Sequence, residues 1–225
     1  MNKLPISVTA PVAAPRAYGG ESHEQRCQKR RELFIAAGKH LFGTIGYRRT
    51  TVRGLCKEAG LTDRYFYESF ATTEDLLVAV YAQLILTMQG AVVGALQALP
   101  EGAEPAVWID RGLDAFFAAV EDAEAARIVW LEVLGVSPQV DALYTQTQQQ
   151  FADLVLALVR MALPHWAVDD EAAPVVAMGA IGAASEAAKS WLMSGYQTPR
   201  STMVRGVAVI FRGAAQLPPA SAAIP

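Results

Sequence analysis

Apolar residues return every three or four positions along nearly all of this chain, and no run alternating apolar with polar residues sits between Asn-Gly or Asp-Gly turns. The period predicts helices. Leu33, Phe34, Ala37, Leu41, Phe42 and Ile45 mark the apolar face of a first helix over about 23–45. Ser22 and Gln25 form its capping box, and Gly46 before Tyr47 is a left-handed stop. Thr51 caps a short second helix with Val52, Leu55, Cys56 and Ala59 inward, ended by Gly60 and Leu61. Thr62 caps a third, in which Phe66 and Phe70 share the inner face while Asp63, Arg64, Tyr67 and Glu68 face outward. A fourth starts at Thr72, with Asp75 completing a second capping box, and its apolar positions Leu76, Leu77, Val80, Leu84, Ile85 and Met88 continue past residue 90.

Beyond residue 100 the same period predicts five helices, over roughly 104–121, 123–134, 137–163, 169–194 and 200–215. Pro105, Pro138, Pro164, Pro174 and Pro199 fall at or near their ends, where proline is tolerated. The expectation is an all-α chain of about nine helices. Residues 1–21 and 217–225, rich in Pro and Ala without period, read as flexible tails around a small domain at 22–71 and a larger helical bundle at 72–216.

Charge adds what the period cannot. Residues 1–70 hold 12 Lys+Arg against 6 Asp+Glu, net +6, whereas residues 71–225 hold 7 against 16, net −9. A basic small domain on an acidic large one suggests that the first meets a polyanion and the second does not. With 52% apolar and 18% charged residues the chain has much surface to hide, some of it in a dimer. Cys27 and Cys56 match neither a disulfide framework nor a CxxC site, and Cys56 reads as a small core residue. Pro5, Pro11 and Pro15 interrupt the first stretch, and the most apolar windows, Leu84–Leu99 and Pro174–Ala184, are too short or too interrupted to span a bilayer. No signal peptide or membrane span is therefore expected, and a cytoplasmic location is.

No HExxH, GxSxG, P-loop or dinucleotide-type glycine pattern appears, and His23, His40 and His165 are scattered. Neither catalysis, nor a metal site, nor a cofactor is expected. What does stand out is two short helices joined by "AGLT" against a longer one, the parts of a helix-turn-helix. Its second helix fits the major groove of DNA, and the hydroxyls of Thr51 and Thr62 offer donors to phosphate.

The segment "ELFIAAGKHLFGTIGYRRTTVRGLCKEAGLTDRYFYESFATTEDLLVAVY", Glu32–Tyr81, resembles the DNA-binding domain of the TetR family of bacterial transcriptional regulators. The resemblance rests on the Ala-Ala and Leu-Phe of the first helix, the Gly-Tyr stop, the Thr-Thr-Val start, the Ala-Gly turn, Tyr67 and Phe70, and then Glu74, Leu76 and Leu77. Beyond it, "ARIVWLEVLGVSP", Ala126–Pro138, is similar to the family's sixth helix and following turn. The residues so implied at DNA are Arg48, Arg49, Thr51, Arg53, Thr62, Asp63, Arg64, Tyr65, Tyr67, Glu68 and Thr73. Asp63, Ser69 and Thr73 depart from the basic residue, tyrosine and lysine common in the family. Arg64 is open to two roles, a phosphate contact or a guanine edge.

The resemblance further implies an effector cavity among the middle helices and a homodimer through the last two. Candidate cavity residues are Trp108, Phe116, Trp130, Leu134, Phe151, Met178 and Glu186, with Glu132 either a surface charge or a cavity acceptor. Ala177, Ala180, Gly182, Ala184, Ala187 and Ala188 form a small-residue stripe suited to close helix approach in such a dimer, while the ninth helix is apolar at Met203, Val207, Ile210 and Phe211. The expected function is a repressor of double-stranded palindromic operator DNA, released by a small, largely apolar effector. The alternative is a DNA-binding regulator whose larger domain only dimerises or contacts a protein.

Overall fold

The computed structural model describes residues 22–163 and 166–215, and among them are nine α-helices and no strand. They are α1 (His23–Thr44), α2 (Val52–Ala59), α3 (Asp63–Ser69), α4 (Thr73–Gln97), α5 (Pro105–Val120), α6 (Ala123–Arg127), α7 (Pro138–Ala162), α8 (Ala173–Met193) and α9 (Arg200–Ala215). The expected tails, Pro164 and His165 lie outside the described residues.

The start signals act as the sequence suggests, with one exception. Ser22 Oγ accepts from the Gln25 N–H while the Gln25 side chain accepts from the Ser22 N–H, and Thr72 and Asp75 repeat the exchange at α4. Thr62 occupies the N-cap of α3 but makes no side-chain capping bond. Gly60 stops α2 in the left-handed region at φ 65°, ψ 29°. Gly46 differs from the expected stop: at φ 92°, ψ 153° it leaves the left-handed helical region for backbone that glycine adopts far more readily than other residues. The chain then forms a single 3₁₀ turn, Tyr47–Arg49.

Three expected elements change in detail. Leu33 and Ile45, counted on the inner face of α1, are 48% and 42% exposed. Helix α8 starts at Ala173 rather than 169, because Asp169 Oδ1 accepts the N–H groups of Glu171 and Ala172 and holds a turn there. The predicted 123–134 helix is an α-helical turn and a half, α6, running into a π-helical segment, Ile128–Glu132, closed by Gly135 at φ 74°. Such single π turns concentrate at functional sites, and nothing in the sequence signals this one.

Helix α4 is long and apolar enough, by length and composition, to cross a membrane, which the shorter windows read from the sequence did not anticipate. Its Leu76, Leu77, Val80, Tyr81, Leu84, Ile85 and Met88 are buried in the protein core. That core is continuous from Phe34, Leu55 and Phe66 through Leu77 and Phe117 to Trp191 and Val207. The small domain is therefore welded to the large one, chiefly along α1, where Gly43 lets α6 approach so closely that an added Cβ would lie 2.5 Å from the Glu124 Cβ.

Candidate functional site

Helix α3 is pinned on one face and open on the other. Phe66 meets Phe34 edge-on at a centroid distance of 5.3 Å. The Arg31 guanidinium lies 4.2 Å over the Phe70 ring and donates to the Ser69 carbonyl at 2.8 Å. Arg30 stacks 4.2 Å over Tyr65 and reaches Glu68 at 3.8 Å. Part of the basic charge of the small domain thus holds α3 on α1. Tyr65, expected at DNA, is half-buried beneath Arg30.

The open face carries Asp63, Arg64, Tyr67 and Glu68, all exposed. Arg64 Nε donates to Glu68 Oε1 at 2.9 Å, an i, i+4 pair whose guanidinium side chain is 84% exposed. Tyr67 is 61% exposed, its ring edge-on to Phe66. On the neighbouring elements Thr51, Arg53 and Thr62 are exposed, and Thr51 Oγ1 accepts the Gly54 N–H. Thr73 is half-buried at the first position of α4. Burial raises the Cys56 thiol, with Asp63 adding to the effect, so it stays protonated and inert at neutral pH.

Arg48 and Arg49 sit on the 3₁₀ turn. Arg49 Nε donates to the Ile45 carbonyl at 2.7 Å, whereas Arg48 Nη2 donates to the carbonyl of Gly135 in the large domain at 3.3 Å. The same turn is gripped a second time. Glu132 Oε2 accepts the Tyr47 N–H at 2.8 Å, and Glu132 Oε1 accepts from Arg127 Nε at 2.9 Å. Glu132 is therefore neither a loose surface charge nor a cavity acceptor. It ties the π segment to the turn between α1 and α2. Beside it, Lys39 binds Asp122 and His40 Nδ1 lies 2.9 Å from Glu124 Oε1. Burial raises the Asp122 carboxyl, but Lys39 and the Ala125 N–H outweigh it and hold the group below the usual carboxylate range.

A cavity of about 180 Å³ lies between α4, α5, α7, α8, α9 and the π segment. Trp108, Phe116, Trp130 and Phe151 line it. Leu134, Met178 and Glu186 do not: Leu134 is 47% exposed, Met178 points off the wall, and Glu186 is exposed beside Lys189 at 3.5 Å. Each follows an inward residue by one position, and one step around a helix is enough to leave the inner face. The stripe on α8 is also reassigned. Ala177, Ala180 and Ala184 line the cavity, their short side chains leaving the space open, while Ala188 is buried in the core.

Sequence reasoning missed the polar part of the wall, Tyr81, Tyr144, Gln148 and Ser185. Trp130 Nε1 donates to Ser185 Oγ at 2.8 Å, and Gln148 Nε2 to the same oxygen at 3.3 Å. Burial pushes the Tyr81 phenol up to about 12. Gln148 was hidden in the run Gln146–Gln150, which reads as a solvated face, and its i, i+4 relation to Tyr144 was the available signal. Among the described residues no Asp, Glu, Lys, Arg or His lines the cavity.

Residues 34–80 match the family model described as bacterial regulatory proteins, tetR family. The chain is 23% identical over 182 residues to the HTH-type transcriptional activator FasR of Mycolicibacterium smegmatis, covering 80% of each. Its fold is shared with the fatty acid degradation regulator FadR of Bacillus halodurans, at 17% identity and TM-score 0.70, over 83% of this chain and 96% of that one. It is shared too with FadR of Bacillus subtilis, solved in complex with stearoyl-CoA, at 15% identity and TM-score 0.66, over 82% and 97% of the two chains. The match and the geometry of α1 to α3 agree: residues 34–80 form a helix-turn-helix DNA-binding domain of the kind found in the bacterial regulatory proteins of the tetR family.

Proposed function

We propose that this regulator binds a palindromic operator as a homodimer and is released from it by a chain-like apolar effector that enters the cavity. The observation that carries the reading is the π segment, which faces both sites at once. Residues two apart on a helical turn point to nearly opposite sides. Trp130 lines the cavity, and Glu132 holds the Tyr47 N–H of the DNA-binding domain.

The cavity volume makes the coupling physical. About 180 Å³ is small beside the roughly 300–1,000 Å³ of ordinary small-molecule sites. An extended apolar chain enters only by spreading the walls, and close-packed walls move as units rather than yield locally. Displacing Trp130 moves the π segment, and Glu132 and Gly135 carry that motion to Tyr47 and Arg48. The recognition helices of a dimer must stand about 34–36 Å apart, or a multiple, to read successive major grooves. A shift of the small domain against the bundle changes that spacing.

A fatty acyl chain is the effector class favoured, because the lining is apolar and two regulators sharing the fold are named for fatty acids, one of them holding stearoyl-CoA. Dimerisation is supported by the outer face of the last two helices, where Val175, Met193, Val209 and Ile210 are 72%, 67%, 67% and 50% exposed. Apolar side chains so exposed on adjoining helices mark an association surface. In a thermal-shift titration, stearoyl-CoA should raise the melting temperature progressively with concentration and release a selected operator duplex. No shift at any concentration, with DNA binding intact, would leave a dimerising regulator without a small-molecule effector of this class.

A further inference from the structure

The side-chain hydroxyl and amide groups of the cavity wall are gathered at one end. Tyr81 lies on the third turn of α4 and Leu96 on its last, fifteen residues apart, which at 1.5 Å per residue is about 22 Å. Around Tyr81 stand Tyr144, Gln148 and Ser185, with Trp130 bonded to the last. The other end, at Leu96, Pro105 and Leu163, is apolar.

The cluster has hydrogen-bonding capacity to spare. Ser185 Oγ accepts from both Trp130 Nε1 and Gln148 Nε2, and among the described residues its own proton meets no acceptor. Gln148 Nε2 also reaches the Tyr144 hydroxyl at 3.5 Å, while Gln148 Oε1 meets no donor among the described residues. A plain alkyl chain pushed into this end strips these groups of water and returns nothing, which is costly for buried polar atoms. A charged group fares worse there, since the described lining offers no counter-charge.

We infer that the effector carries an uncharged oxygen function, a hydroxyl or a carbonyl, at the Tyr81 end of the cavity, where the Ser185 hydroxyl donates to it and, when it is a hydroxyl, Gln148 Oε1 accepts from it. Any ionised headgroup stays outside the described lining. The inference rests on this cavity being the effector site, and goes beyond a saturated acyl chain by fixing where its polar group belongs. Ser185 and Gln148 are then the residues that set effector specificity.

The test compares 1-dodecanol with 1-chlorododecane, chains of one length differing in the terminal group, on the full chain. Binding is read by the fluorescence of the tryptophans, of which Trp108, Trp130 and Trp166 line the cavity. In Gln148→Leu, which leaves the Trp130 to Ser185 bond in place, the ratio of alcohol to chloride affinity should fall about tenfold from the wild-type ratio. Ser185→Ala should lower it comparably, and continued binding of the chloride shows that each variant is folded. A ratio unchanged in Gln148→Leu overturns the polar subsite while leaving an apolar effector site standing. Failure of both probes to bind the wild-type chain overturns the effector reading itself, and this inference with it.

Discussion

The Glu132 carboxylate accepts the backbone N–H of Tyr47 at 2.8 Å across 85 positions of sequence, joining the wall of the cavity to the DNA-binding domain. Its second oxygen is held by Arg127 Nε at 2.9 Å, so the strut is fixed at both ends. Replacing it with Ala leaves the partly buried Tyr47 N–H unpaired, at a cost of about 1–3 kcal/mol. The expected signature of Glu132→Ala is uncoupling: effector affinity stays near wild type while the factor by which effector weakens DNA binding falls toward one. Paired titrations of effector and operator on the variant measure both quantities. Retention of the full factor would assign the coupling to another part of the interface between the domains.

Gly46 faces the same carboxylate. An added Cβ would lie 3.1 Å from Glu132 Oε2, on backbone at φ 92°. Gly46→Ala should therefore combine backbone strain of about 1–3 kcal/mol with displacement of Glu132. Gly60, at φ 65° with nothing within 4 Å of the added atom, is the control. Asn enters the left-handed region more easily than most residues, so Gly60→Asn should cost less in urea unfolding than Gly46→Ala. The reverse order would contradict the role given to the Gly46 turn.

How much of this was legible in the sequence follows from what each feature depends on. The nine helices were, because caps such as Ser22 and Thr72 and the spacing of Phe66 and Phe70 are local signals that packing reinforces. The outward face of α3 was legible for the same reason. Glu132 was not, since its partner is 85 residues away and no local pattern distinguishes a strut from a surface charge. The alanines of α8 suggested close helix approach, but whether a small side chain admits a neighbouring helix or leaves a cavity depends on what stands opposite. Met178 and Glu186 were misplaced by one helical step for want of that information.

On the DNA face, the exposed Arg64 and Tyr67 separate by the way each substitution weakens binding. Tyr67→Phe should weaken binding to all duplexes alike if its hydroxyl meets phosphate. Arg64→Ala should relax preference at one base position, by about 1–3 kcal/mol, if the guanidinium leaves Glu68 for a guanine edge. A binding-site selection with each variant measures this. Unchanged base preference in Arg64→Ala assigns that residue to the backbone, and log affinity should then fall with log salt at a slope shallower by about 0.9 for each phosphate no longer neutralised.

Tyr81 supplies a pH signature. Burial raises its phenol to about 12, above the ordinary value near 10, so the folded state keeps a proton that the unfolded chain gives up. The stability this contributes is present in full below about pH 10 and is lost as pH rises toward 12. Urea midpoints measured from about pH 9 to 12 should fall more steeply for the wild type than for Tyr81→Phe, which has no proton to lose. Parallel curves would place the Tyr81 hydroxyl in water.

The central claim is that one chain holds two sites whose occupancies oppose each other, and linkage makes that opposition reciprocal. The decisive measurement is the affinity of the full chain for stearoyl-CoA with and without saturating operator duplex obtained by selection. Operator should weaken stearoyl-CoA binding by the same factor by which stearoyl-CoA weakens operator binding, typically about 5 to 150-fold. Equal stearoyl-CoA affinities in the two titrations would contradict the account, and leave the cavity without a part in regulating DNA binding.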